Sequence, residues 1–160
     1  MAAGPPYIAI IGARQASSGQ AQAAEDIGRA LAQAGAIVVC GGHGGVMAAA
    51  CRGAASAGGL TIGILPGSDR ASANEWVAVA IATGLGELRN GLIVRAADVV
   101  VAVGGAYGTL SELALALDAG VPVVGVDTWS IEGIESVSTP VEAVRRALEL
   151  ALGRCRPRGS

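Results

Sequence analysis

The 160-residue chain contains no lysine; its eleven basic residues are all arginine. Without a lysine there is no Schiff-base amine, so pyridoxal-phosphate chemistry, lysine decarboxylation included, is excluded together with amine nucleophiles in general. Phenylalanine is also absent, and the aromatic side chains amount to two Trp and two Tyr. The interior must then be filled by Ala, Val, Ile and Leu, small or branched side chains that let helices lie close on a sheet. The formal net charge of −2 gives no basic excess for a phosphate backbone, so no nucleic-acid partner is expected. One histidine, His43, and three cysteines without a CxxC pair, Cys40, Cys51 and Cys155, offer no metal-ligand spacing, and no metal site is expected. Cys40 ends an apolar run and Cys51 sits in a helical pattern, which reads as buried thiols. No apolar run reaches the ~18–20 residues of a membrane span, so no membrane partner is expected either. Met1 to Pro6 lacks a basic segment followed by an apolar stretch, which makes a cytoplasmic protein the default expectation.

What the chain has in quantity is glycine, 25 residues, set between apolar runs and helical patterns that alternate. Apolar runs at 7–11, 36–40, 60–65, 98–103 and 121–126 read as strands, with 76–81 as a short edge strand. Between them, 20–33, 46–57, 87–97 and 109–119 read as helices, and 140–152 as a last helix with Pro140 at its start. The stretch 127–139 reads as a loop. Strands without polar alternation are buried on both faces, as in parallel sheets covered by helices. The expectation is one Rossmann-like α/β domain over 1–153, a single doubly wound parallel sheet with helices on both faces, followed by a frayed basic tail at 154–160.

In such a sheet the strand-to-helix turns share the carboxyl edge, where ligands bind. Three of those turns are rich in glycine: Gly12-Ala13-Arg14-Gln15-Ala16-Ser17-Ser18-Gly19, Gly41-Gly42-His43-Gly44-Gly45, and Gly104-Gly105-Ala106-Tyr107-Gly108-Thr109. Glycine lets a ligand approach the backbone, and the free amides of the following helix N-terminus favour an anion. One such turn is explained by tight turning alone, but three at one edge point to a phosphate-bearing small molecule. Neither the GxGxxG dinucleotide fingerprint nor the GxxxxGK[ST] phosphate loop is present, which argues against a nicotinamide dehydrogenase or a P-loop NTPase.

Two charged residues belong to the same edge. Arg89 opens the helix that enters strand 98–103, and should approach the 104–109 loop; its plain alternative is an exposed arginine paired with Glu87 or with water. Glu112 lies one turn into the next helix. Thr109-Leu110-Ser111-Glu112 has the spacing of a capping box, and on spacing alone capping is the stronger reading, with catalysis the other. His43 reads as a turn residue that a ligand can touch rather than as a general base.

The segments Gly41-Gly42-His43-Gly44-Gly45-Val46-Met47 and Gly104 to Glu112 resemble the signatures of the LONELY GUY family, the "lysine decarboxylase-like" proteins. The resemblance runs from about Tyr7 to Val126. Members are nucleoside 5′-monophosphate phosphoribohydrolases, and their second signature reads PGGxGTxxE. It implies Arg89 and Glu112 as catalytic residues, and a phosphate grip from Gly105, Gly108 and Thr109. It also implies that Gly12, Ala13, Gly41, Gly42, His43, Gly44, Gly45, Val46, Met47, Gly104, Ala106 and Tyr107 surround the ligand. Two departures stand out: Val103, read at the place of the signature proline, and Asn90, where the family has a lysine after the arginine. Leu88-Arg89-Asn90, Val94 to Asp98 and Val103-Gly104-Gly105 are closer to a sister branch that includes molybdenum-cofactor carrier proteins. That branch implies binding of a phosphate-containing ligand, an AMP-like nucleotide or molybdenum cofactor, with no cofactor required for catalysis. Both branches imply a homo-oligomer, a dimer or a tetramer.

Overall fold

The computed structural model describes residues 4–154. Seven strands form one all-parallel sheet in the order β4-β3-β2-β1-β5-β6-β7. They are β1 (Tyr7–Gly12), β2 (Ile37–Cys40), β3 (Thr61–Leu65), β4 (Val79–Ala82), β5 (Val99–Val103), β6 (Val123–Val126) and β7 (Ile134–Val137). Helices α1 (Ser18–Gln33), α2 (Val46–Ser56) and α5 (Pro140–Arg154) cover one face; α3 (Asn90–Ala96) and α4 (Tyr107–Asp118) cover the other. The architecture is the expected Rossmann-like one.

The central strands show why. In β1, Ile8 and Ile10 enter the layer of α1, α2 and α5, while Ala9 and Ile11 enter the layer of α3 and α4. In β5, Val99, Val101 and Val103 face the first layer, and Val100 and Ala102 the second. All are buried, and each Val or Ile contributes about 1.5–3 kcal/mol by leaving water. A strand with two apolar faces is stable only between two helical layers, so the continuous apolar run dictates the sandwich. Asp98 fixes the start of both central strands: its Oδ2 accepts a hydrogen bond from the Tyr7 backbone N–H at 2.8 Å.

Strands β2, β3 and β4 succeed one another on one side of β1, and β5, β6 and β7 on the other. The winding therefore reverses between β1 and β5, where Gly12 pairs with Val103 at the carboxyl ends. The turns leaving these two strands diverge to opposite faces and open a crevice. Ser17 sets where the first turn becomes α1. Its Oγ accepts from the Gln20 amide, and the Gln20 side chain accepts from the Ser17 amide, both at 3.2 Å.

Several boundaries differ from the sequence expectation. The 127–139 loop contains β7, an edge strand whose Ile134 and Val137 are only partly covered, so its apolar signal is weak. The edge strand expected at 76–81 is β4 at Val79–Ala82. The 87–97 helix starts as a 3₁₀ turn, Gly86–Arg89, before α3 begins at Asn90. Helix α5 continues through Gly153 and Arg154, whose Nη1 donates to the Gly120 carbonyl at 3.0 Å, so residue 154 belongs to the helix. The rest of the tail and Cys155 lie outside the described residues.

Candidate functional site

The crevice holds a cavity of about 660 Å³. Gly12, Ala13, Arg14 and Gln15 of the β1–α1 turn form one wall; Gly105, Ala106, Gly108, Thr109 and Glu112 form the other. Met47 of α2 and Glu87, Arg89 and Asn90 from the entry to α3 complete it.

The second wall is built by an early start of α4. The backbone at Gly104 turns at φ +58, and Ala106 becomes the residue before the helix. Ala106 has no side-chain acceptor, so α4 begins without a side-chain cap, and its first amides depend on partners outside the helix. Thr109 lies in the third helical position, buried, its Oγ1 accepting from the Ala106 amide at 3.3 Å. This overturns the capping box read from Thr109 to Glu112: Thr109 is not the cap, and Glu112 is a full turn too deep to reach back to it.

Glu112 is instead a buried carboxyl, 8% exposed, on the cavity wall. Burial pushes its pKa up to about 7 despite the opposing pull of Arg89. Arg89 is 4% exposed, which removes the reading of a solvated surface arginine. Its Nη1 donates to the carbonyls of Gly41 at 2.7 Å and Ile64 at 2.6 Å, and its Nε is buried without a partner. The expected approach to the 104–109 loop is thus only partial: Arg89 shares the cavity with that loop but is anchored at the ends of β2 and β3. Burial lowers its pKa, and Glu112 and Glu87 counter that shift. Glu87 pairs not with Arg89 but with Arg14, at 3.6 Å, both side chains being mostly exposed.

The 41–47 segment contributes less surface than expected. Of these residues only Met47 lines the cavity. A Cβ on Gly41 would lie 2.5 Å from Arg89 Nη1, and one on Gly45, at φ +63, would lie 2.3 Å from the Ala13 carbonyl oxygen. Those glycines allow Arg89 and the β1 turn to approach, which is a packing task. His43 does not line the cavity: its carbonyl accepts from Asn74 Nδ2 at 2.8 Å and its Nε2 is buried without a partner among the described residues. Burial, with nearby Arg14 and Arg89, lowers its pKa. Tyr107, although at the start of α4, is 84% exposed and does not line the cavity, nor do Gly42, Gly44, Val46 and Gly104.

Sequence reasoning did not single out Arg14, Gln15 or Glu87 as site residues. Arg14 and Gln15 are visible inside the first glycine-rich turn; Glu87 had no local signal. Asn90, seen only as a lost lysine, is buried, with its Nδ2 3.5 Å from Ser111 Oγ. Counted back from Glu112, the nine-position signature places its proline on Gly104 and its second glycine on Ala106. Val103 is the last residue of β5 and lies outside it. Among the described residues no three His, Cys, Asp or Glu side chains converge to hold a metal ion, and no helix is long and apolar enough to cross a membrane.

Residues 5–150 match the model of the SLOG cluster4 family. An uncharacterized protein of Archaeoglobus fulgidus is 40% identical over 138 residues, which is 86% of this chain and 91% of that protein. The molybdenum cofactor binding protein from Rippkaea orientalis has the same fold, with a TM-score of 0.85, 35% identity, and coverage of 91% of this chain and 96% of its own. The molybdenum cofactor carrier protein from Chlamydomonas reinhardtii gives 0.84 and 32%, covering 91% of this chain and 98% of its own. The carrier-containing branch, resembled through residues 88–105, is the one these comparisons find.

Proposed function

The chain belongs to the SLOG cluster4 family, and from that premise we propose that it binds a phosphate-bearing small molecule in the cavity between β1 and β5. The ligand class is a nucleotide or a phosphorylated pterin cofactor of the molybdenum-cofactor kind. One observation carries this reading: the uncapped N-terminus of α4 opens on a cavity of about 660 Å³ that also contains Arg14 and Arg89. Helix amides, the positive end of the helix dipole and two guanidinium groups form a site for an anion, and the volume suits a molecule of nucleotide size. The likeness to two proteins described as binding or carrying molybdenum cofactor supports the same class. With Asn90 in place of a lysine, the phosphate is held by arginine and backbone. The proposal includes a cytoplasmic homo-oligomer, a dimer or tetramer. Calorimetric titration with AMP, GMP and molybdenum cofactor tests it: saturable binding of at least one is expected, and none at about 1 mM would refute it.

Glu112 favours a second reading, hydrolysis of the N-glycosidic bond of a nucleoside 5′-monophosphate. A carboxyl titrating near 7 inside a ligand cavity suits proton transfer at neutral pH, and its ionised form stabilises an oxocarbenium-like transition state. Glu112 would activate water or stabilise that charge, while Arg89 holds the phosphate. Incubation with AMP and chromatography for free adenine tests it. Base release by Glu112→Gln at the wild-type rate would remove the assigned role.

A further inference from the structure

A second recess of about 210 Å³ lies on the far side of the β5–α4 turn, lined by Gly104, Gly105, Asp127, Thr128 and Trp129. It shares Gly105 with the main cavity, so the two spaces adjoin at that residue. Three features of the segment after β6 are unusual. Asp127 is the only non-glycine among the described residues with a positive φ, +50, which few side chains adopt. Thr128 Oγ1 is buried and has no hydrogen-bond partner. Trp129 is 38% exposed, and its Nε1 lies beside Gly105, within 3.0 Å of where a Cβ there would stand.

We propose that this recess is the ring subsite of the same ligand, taking a 2-amino-4-oxopyrimidine ring such as that of guanine or a pterin. The inference rests on the phosphate reading of the main cavity. Charge divides the ligand: Asp127 is exposed, forms no ion pair among the described residues, and has no arginine beside it in the recess, so the phosphate is excluded there and belongs with Arg14, Arg89 and α4. A carboxylate accepts two hydrogen bonds at once from a ring N–H and an adjacent exocyclic amine, the pair of donors that guanine and pterins present side by side. Adenine presents one amine next to an acceptor and cannot make that pair. Trp129 offers a stacking surface that any base accepts, and the unpartnered Thr128 hydroxyl supplies a further polar contact. Thus Asp127 selects the ring and Trp129 holds it.

Calorimetric titration of the full chain with GMP, IMP, AMP and a pterin carrying a side-chain phosphate separates the possibilities. IMP keeps the ring N–H but lacks the 2-amino group. Wild type is expected to bind GMP and the pterin about tenfold or more tightly than IMP and AMP, the worth of one charged hydrogen bond. Asp127→Asn keeps a residue that tolerates positive φ, so folding is preserved, and should bring the four ligands within about threefold by weakening GMP and the pterin alone. Trp129→Ala should weaken all four together by about tenfold. A GMP preference without pterin binding assigns the ring to a nucleotide, and the converse to a pterin cofactor; both support the subsite. Binding of the four with equal affinity, or a GMP preference that survives Asp127→Asn, overturns the subsite and leaves the phosphate site standing. Failure of all four to bind overturns both.

Discussion

Arg89 and Glu112 face one cavity without forming an ion pair. Arg89 gives its Nη1 to the Gly41 and Ile64 carbonyls, and Glu112 is left buried with no arginine hydrogen bond to hold its charge. Burial then outweighs the distant attraction, so the carboxyl titrates near neutrality. A cation held back on the backbone and a half-ionised acid form a site whose charge balance a bound ligand can alter.

The first consequence is a pH dependence of stability. The folded pKa of about 7 is raised above the ordinary 4.5, so the folded state binds the proton more tightly than the unfolded chain. The stabilisation is fully present below about 4.5 and is lost as the pH rises through about 7. The shift corresponds to ~3 kcal/mol at alkaline pH. Glu112→Gln should therefore be more stable than wild type at pH 8 by about 2–3 kcal/mol, and the difference should vanish near pH 4, as followed by urea denaturation.

Arg89 holds two strand ends together. Arg89→Ala should destabilise the protein by about 2–4 kcal/mol, because the Gly41 and Ile64 carbonyls lose a buried partner. Arg89→Lys keeps the charge but not the planar guanidinium, and should recover only part of that loss. Denaturation midpoints of the three proteins decide it; an alanine variant as stable as wild type would contradict the anchoring role.

Two glycines, Gly45 behind the β1 turn and Gly108 on the cavity wall, should behave oppositely. Gly45→Ala forces a Cβ to φ +63 and within 2.3 Å of the Ala13 carbonyl, and should cost about 2 kcal/mol or more. Gly108→Ala meets nothing within 4 Å, so stability should match wild type or exceed it slightly while the methyl group narrows the cavity. Thermal melts of both variants, with ligand titration of the second, check the pair.

The thiols of Cys40 and Cys51 are buried, with their sulfurs 3.5 Å apart. The Cys40 contact and burial push the Cys51 thiol up, away from the reactive thiolate. In a Cys155→Ser chain, an aromatic disulfide reagent should label neither thiol in the native state at pH 7.5 and both after unfolding. Rapid labelling of the native protein would show that the α2 layer opens.

The central sheet is legible in the sequence because β1, β5 and β6 carry apolar residues on both faces. β7 is not, because two of its four residues are polar, Ser136 and Glu135, and Glu135 is accommodated by pairing with Arg146 of α5, a partner eleven residues away. Arg89 and Glu112 are legible as site residues through their spacing to the glycine turns. Their actual bonds are not: the Arg89 anchor depends on β2 and β3 ending side by side, 48 and 25 residues away in the chain. Helix α4 starts two residues before the position that the cap-like Thr109 suggests in sequence. The Gly104 turn at φ +58 and the uncapped Ala106 move the start to Tyr107.

The central claim is that the β1–β5 cavity binds a phosphate-bearing ligand, and Gly108→Leu tests it most directly. The substituted side chain starts in open space on the cavity wall, so the fold should survive it. Calorimetry with GMP and molybdenum cofactor on both proteins should give one saturable site per chain in wild type, and affinity at least about tenfold weaker in the variant at an unchanged denaturation midpoint. Equal binding by the variant, or no binding by wild type at about 1 mM, would contradict it.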